Sequence, residues 1–132
     1  MTLVAYVDMN NLKIINDRYG HEEGDFSLKR IGEILVETVA AKGIAGRIGG
    51  DEFACIMEYQ TKDAGKELLE EIQNRFTCFN AESDKPYNVT VSVGAYVVGA
   101  ERKVSLKEAL SLADEKLYEA KQYRVKTVAK QA

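Results

Sequence analysis

Two glycines followed at once by two acids, Gly49-Gly50-Asp51-Glu52, stand between the short apolar runs Ile44–Ile48 and Phe53–Met57. Such runs are too short for stable helices, and a glycine pair between them marks a reversal. The segment therefore reads as two antiparallel strands joined by a tight loop. The same loop is chemically loaded. Glycine permits a tight turn and close approach of a ligand, and Asp and Glu oxygens are hard ligands suited to Mg²⁺ on a nucleoside triphosphate. An ordinary hairpin with exposed acids has the same four letters, so the neighbouring segments must decide.

Leu3–Val7 is an apolar run that ends on Asp8, a buried strand delivering a carboxylate at its C-terminal end. From Asp25, the residues Leu28, Ile31, Ile34, Leu35, Thr38 and Val39 recur at helical spacing, with Gly43 as the stop. Thr61 is placed to cap a second helix whose core face is Ala64, Leu68, Leu69, Ile72, Phe76 and Phe79. After a turn over Ser83–Pro86, alternation at Val89, Val91, Val93, Ala95 and Val97 predicts a central strand. Ser105 and Glu108 form a capping box for a last helix through Leu106, Ala109, Leu110, Ala113, Leu117 and Ala120, and Val125–Ala129 is a candidate edge strand. No repeat or linker interrupts this order. The expectation is one α+β domain over residues 1–132, an α/β sandwich with a mostly antiparallel sheet flanked by helices.

Composition removes several classes of function. With 45% hydrophobic and 30% charged residues the chain is globular rather than disordered. No apolar run approaches the roughly 20 residues that span a bilayer. The opening Met-Thr-Leu-Val-Ala-Tyr-Val has no basic leader, so a cytoplasmic domain without direct membrane contact is expected, whether or not a longer protein is tethered. A net charge of −3 argues against a nucleic-acid surface. Cys55 and Cys78 have no Cys or His partner at zinc or disulfide spacing and read as buried small apolar residues. His21, the one histidine, reads as structural, packing or hydrogen bonding beneath its loop.

The stretch after the first strand decides between the two hairpin readings. Asp8-Met9-Asn10-Asn11-Leu12-Lys13, then Asn16-Asp17, then Gly20-His21-Glu22-Glu23-Gly24-Asp25 is more polar chemistry than a plain loop needs. A calcium loop of the EF-hand kind is excluded, because Leu12 and Lys13 fall where a ligand and a glycine should be. Together with Arg47-Ile48-Gly49-Gly50-Asp51-Glu52-Phe53, the stretch closely resembles the GGDEF domain family, diguanylate cyclases that make cyclic di-GMP from two GTP molecules. Thr90-Val91-Ser92-Val93-Gly94 and the helix residues Ala113-Asp114, Leu117-Tyr118 and Ala120-Lys121 match the family in the same order.

The resemblance implies a nucleotide-cyclase or polymerase-palm-like fold on a ferredoxin-like core. It implies that Asp8, Asp51 and the carbonyl of Met9 hold Mg²⁺, with Mn²⁺ as an alternative, and that Glu52 assists with metal binding or with deprotonating the attacking ribose hydroxyl. Backbone amides around Asn11 and Leu12, with Lys13 and Lys121, would contact phosphates, and Gly49 and Gly50 would line the nucleotide. Asn16 and Asp25 would read guanine, whose N1–H and amino group suit a carboxylate and whose acceptors suit an amide. The implied partners are GTP, a second GGDEF subunit, and a fused sensory or receiver domain. Taken singly, the same residues fit plainer roles: Asp25 as a helix cap, Asn16 as a turn cap, Lys13 and Lys121 as solvated lysines.

This chain departs from the family pattern in places. Asn10, Asn11 and Leu12 replace the usual acid and aromatics, and Val125 stands where an arginine would reach the phosphates, with Arg124 and Lys126 as neighbours. The Arg and Asp of the family's product-inhibition motif fall on Ala40 and Gly43, which predicts no feedback through that surface. The sequence also begins at the first core strand, without the family's opening helix. A degenerate GGDEF domain, acting as a GTP-binding regulatory or protein-interaction module without turnover, is the second reading, and another two-metal nucleotide cyclase or palm the third.

Overall fold

The computed structural model describes residues 2–59, 63–98 and 104–124, with side chains described as far as Lys116. In chain order the elements are β1 (Thr2–Met9), α1 (Leu12–Tyr19), α2 (His21–Val39), β2 (Gly43–Arg47), β3 (Glu52–Glu58), α3 (Ala64–Glu82), β4 (Val91–Val98) and α4 (Leu106–Arg124). The strands form one antiparallel sheet in the order β2-β3-β1-β4. The predicted α+β class is correct.

Side-chain alternation along β1 divides the molecule into layers. Leu3, Ala5 and Val7 point to one face, where they join Ile31, Leu35, Ile72 and Phe76 of α2 and α3 in the main core. Val4 points to the other face and packs with Ala109 and Ala113 of α4. Burying aliphatic side chains on both faces makes β1 the spine of the sheet, at roughly 1.5–3 kcal/mol per fully buried side chain. Among the described residues β4 is an edge of the sheet, so the predicted central strand is instead β1. A run of alternating valines reports that both faces are covered without reporting a neighbour on each side.

The first helix begins earlier than its apolar periodicity suggests. The polar segment before Asp25 is helical, in two pieces, because α1 buries only Ile15 and α2 starts at His21. Gly20 separates them at φ 97°, a left-handed conformation that glycine adopts without strain, and its N–H closes α1 on the Asn16 carbonyl at 3.0 Å. His21 is exposed on the first turn of α2 rather than packed beneath a loop. Asp25 lies inside α2, so it does not cap it. That helix ends at Val39, and Gly43 opens β2 instead of terminating the helix.

Of the α3 core face, Ala64, Leu68, Ile72 and Phe76 are buried and Leu69 is 38% exposed. Asn80 of α3 brackets Val89, donating to its carbonyl and accepting from its N–H at 2.8 Å each, which holds the extended approach to β4. Ser105 Oγ accepts the Glu108 N–H at 3.1 Å, as the capping pattern predicts. Thr61 and the candidate strand Val125–Ala129 lie outside the described residues.

The two cysteines differ. Cys55 is fully buried on β3 and its thiol is pushed up to about 12 by that burial, whereas Cys78 is exposed on α3, contrary to the expectation that both are core. A thiol reagent at pH 8 is therefore expected to titrate one group rapidly in the native chain and both in denaturant. Cys78→Ser should abolish the rapid phase. A rapid phase surviving that substitution contradicts the placement of Cys55.

Candidate functional site

Strand register assembles the centre of the site. Asp8, near the end of β1, lies directly across from Glu52 of β3 on one side and Ser92 of β4 on the other. Opposite residues in a ladder share a face, so these three polar side chains form a row at the end of the sheet. Asp8 is 6% and Ser92 2% exposed. Beyond the strand, the Met9 N–H donates to the Asp51 carbonyl and the Asn10 N–H to the Thr90 carbonyl, each at 2.9 Å. The backbone at Asp8 and Met9 is thereby brought beside the backbone at Asp51 and Glu52.

The glycine-acid turn is shaped by its backbone and by Arg47. Ile48 and Gly49 N–H groups both donate to the Glu52 carbonyl, at 2.9 and 3.3 Å. The Arg47 guanidinium donates to the carbonyls of Gly49 at 3.0 Å and Gly50 at 3.1 Å. Among described glycines only Gly20 takes a positive φ, so Gly49 and Gly50 are not there for conformational freedom as the sequence suggested. They supply room. A Cβ on Gly49 would sit 3.3 Å from Glu52 Oε2, and one on Gly50 would point into open space where a ligand can approach.

Two anchors flank the row. The Tyr6 hydroxyl donates to Glu52 Oε2 in a short hydrogen bond. That bond, then burial, then the negative charges of Glu52, Asp114 and Asp8 raise the Tyr6 phenol well above its ordinary range, so it stays a donor. On the other side, Asn10 Nδ2 donates to Thr90 Oγ1 at 3.3 Å and its Oδ1 accepts the Ser92 hydroxyl at 2.8 Å. An amide serves both bonds where a carboxylate could only accept, which gives Asn10 a reason to stand there.

Asn11 then enters the left-handed region at φ 61°, which asparagine tolerates, as the N-cap of α1. Its side chain makes no capping bond, so the first N–H groups of α1, at Leu12 and Lys13, meet no competing acceptor from Asn11. Lys13 is 88% exposed in its side chain and pairs with Asp17 at 2.8 Å. Such a solvated pair is worth little and yields readily to a phosphate.

The side expected to take the nucleobase is built by α1 and α2. Asn16 Oδ1 is buried with no hydrogen-bond partner, and a Cβ on Gly24 would fall 1.9 Å from it. Gly24 thus leaves the space that the Asn16 amide fills. An unsatisfied buried amide oxygen costs about 1–3 kcal/mol, a debt that a ligand donor would relieve. Asp25, one residue on, is exposed on a cleft of about 770 Å³ between α2 and β2–β3, shared with Leu28, Lys29, Gly32, Arg47 and Phe53. Alongside, Tyr87 donates to Glu23 at 2.7 Å and Lys85 pairs with it at 2.8 Å, which fixes the start of α2 to the segment before β4.

Lys121 lies on α4, with its side chain outside the described residues, as are Leu117, Tyr118, Val125 and Lys126. Among the described residues no three His, Cys, Asp or Glu side chains cluster as a ready metal cage. Two carboxylates and a carbonyl nonetheless suit Mg²⁺, which keeps waters and takes substrate phosphates into its octahedron. Sequence reasoning missed Tyr6, Asn10, Gly24 and Arg47 as parts of the site. Arg47, directly before the glycines, was the one with a readable signal.

A family model described as the diguanylate cyclase GGDEF domain matches residues 1–126. The chain belongs to the GGDEF family. It is 34% identical over 122 residues to the probable diguanylate cyclase DgcT of Escherichia coli, covering 90% of this chain and 27% of that protein. It is 33% identical over 117 residues to the diguanylate cyclase DgcS of Shewanella oneidensis, covering 87% and 37%. The chain spans from 19% to 37% of the length of such curated relatives. Among solved structures it resembles the active GGEEF domain of a diguanylate cyclase from Vibrio cholerae, with TM-score 0.77, 25% identity and coverage of 92% and 77%. It also resembles the GGDEF domain of DgcB from Caulobacter crescentus in complex with c-di-GMP, with TM-score 0.79, 25% identity and coverage of 92% and 72%. No helix among the described residues of this GGDEF chain is long and apolar enough to cross a membrane.

Proposed function

We propose that this GGDEF domain is a diguanylate cyclase, condensing two GTP into cyclic di-GMP with release of two pyrophosphates. The observation that carries the reading is the register that sets Asp8 across from Glu52, beside Asp51 and at the mouth of the Gly49–Gly50 turn. Asp8, Asp51 and the Met9 carbonyl would hold Mg²⁺. When bound, two such ions per GTP neutralise the triphosphate and polarise its α-phosphorus. The N-terminal amides of α1, Lys13 and Lys121 hold the phosphate tail, and Asn16 and Asp25 read the guanine edge. Glu52 takes the proton of the ribose 3′-hydroxyl as its oxygen bonds to the α-phosphorus of the facing GTP and the bond to pyrophosphate breaks. Each subunit supplies one GTP, so two must meet antiparallel, and domains outside this chain, sensory or receiver in kind, set that encounter in the cytoplasm.

The chain fused to a parallel dimerising coiled coil and given GTP with Mg²⁺ should release cyclic di-GMP and pyrophosphate. ATP should give neither. GTP binding without product in the dimerised chain would replace this reading with that of a regulatory GTP-binding module, and absence of binding with that of an interaction domain.

A further inference from the structure

Tyr6 is an aromatic residue whose ring and hydroxyl belong to different parts of the molecule. The ring packs beside Val4, Ala109 and Ala113, in the layer between the sheet and α4. In register it faces Ala54 on β3 and Gly94 on β4. Both neighbours are small, so the phenol has space to lean along the sheet toward Glu52, two residues from its direct partner, a diagonal that a long aromatic side chain can span. Its hydroxyl donates to Glu52 Oε2. On the other side of that oxygen, Gly49 leaves room that a methyl group would crowd.

We propose that Tyr6 is a positioning residue for the proposed two-metal centre, its hydroxyl holding one oxygen of Glu52 so that the carboxylate presents only the other to metal and ribose. The inference rests on the assignment of Glu52 to the reacting centre. A carboxylate has two equivalent oxygens and can chelate a cation with both, or turn away from the hydroxyl it should deprotonate. A half-buried phenol already bonded to Oε2 removes those alternatives. Because the ring is packed on α4, the orientation of Glu52 is tied to the helix that also carries Lys121. A purely apolar residue at position 6 would fill the same layer but leave the carboxylate unheld.

Tyr6→Phe deletes one oxygen and keeps the ring. In the dimerised chain it is expected to lower kcat about tenfold, the equivalent of one hydrogen bond to a charged group, with KM for GTP changed less than about twofold. Mn²⁺ affinity, read by electron paramagnetic resonance on the chain with a non-reactive GTP analogue, should tighten about threefold as Glu52 gains freedom to chelate. In a Glu52→Ala background Tyr6→Phe should change neither quantity, because the acceptor of the Tyr6 hydroxyl is gone. Equal losses in both backgrounds, or unchanged kcat and Mn²⁺ affinity in Tyr6→Phe, overturn the positioning role. If Glu52→Gln alone keeps full turnover, the assignment of Glu52 fails first and takes this inference with it. If turnover and GTP binding persist while only Tyr6→Phe is silent, the function stands and the Tyr6 role does not.

Discussion

Asp8→Asn is expected to lower cyclic di-GMP formation by the dimerised chain about a thousandfold or more while the fold is retained. The amide has the shape of the carboxylate, and the position is 6% exposed between Glu52 and Ser92, so no cavity and no new bulk is introduced. What changes is charge. A neutral amide oxygen is a poor ligand for Mg²⁺, and a loss of about 4 kcal/mol of transition-state stabilisation corresponds to roughly a thousandfold in rate. Stability should change little, because the amide keeps the shape of the carboxylate, so the melting temperature in chelator should stay close to the native value. Addition of Mg²⁺ and a GTP analogue should stabilise the native chain and fail to stabilise the variant. Circular dichroism and product quantification make the comparison, and more than a tenth of native turnover in Asp8→Asn would show that this carboxylate is not at the reacting centre.

The sequence made the assembly of this centre legible but not its supports, for physical reasons. Asp8 and the Asp51-Glu52 pair were predictable because the first closes one apolar run and the second opens another, and the ends of adjacent antiparallel strands meet. Tyr6 was invisible because its place in β1 is satisfied by any apolar side chain; the hydroxyl matters only once β3 is known to lie beside β1 with Ala54 between. Gly24 and Asn16 likewise meet only because Gly20 folds α1 back against α2. The early start of α2 was missed since apolar periodicity reports a buried face, and the first turn of that helix buries little besides Gly24. Cys78 was misplaced because cysteine's usual preference for burial says nothing about which side of α3 it occupies. The glycines of the turn are not required for its conformation: Arg47 and the Glu52 carbonyl form the turn, and the missing Cβ atoms leave space beside Glu52 and open space at Gly50.

Gly43→Asp, which would restore the acid of the family's product-inhibition motif, is expected to destabilise the chain by about 3 kcal/mol, lowering the melting temperature by roughly 10 °C. Gly43 pairs with Met57 at the start of β2, and a Cβ there would lie 2.0 Å from the Ile56 carbonyl oxygen and 2.7 Å from the Met57 Cα. Both obstacles are backbone of the adjoining strand, so neither can rotate away. Relief requires β2 to separate from β3, which also moves the strand end at Arg47 that holds the glycine turn. Ala40, by contrast, is exposed just after α2, and Ala40→Arg should cost less than about 0.5 kcal/mol. The paired substitution is therefore expected to lose stability by the amount of Gly43→Asp alone and to gain no inhibition by cyclic di-GMP. The absence of that motif is then a property of backbone packing as well as of side chains, since a strand that has closed to this distance cannot present an acid on its surface at position 43. Chemical denaturation of the three variants tests it: a Gly43→Asp chain as stable as the native one, or inhibition appearing in the double variant, would show that the sheet edge yields where its contacts say it cannot.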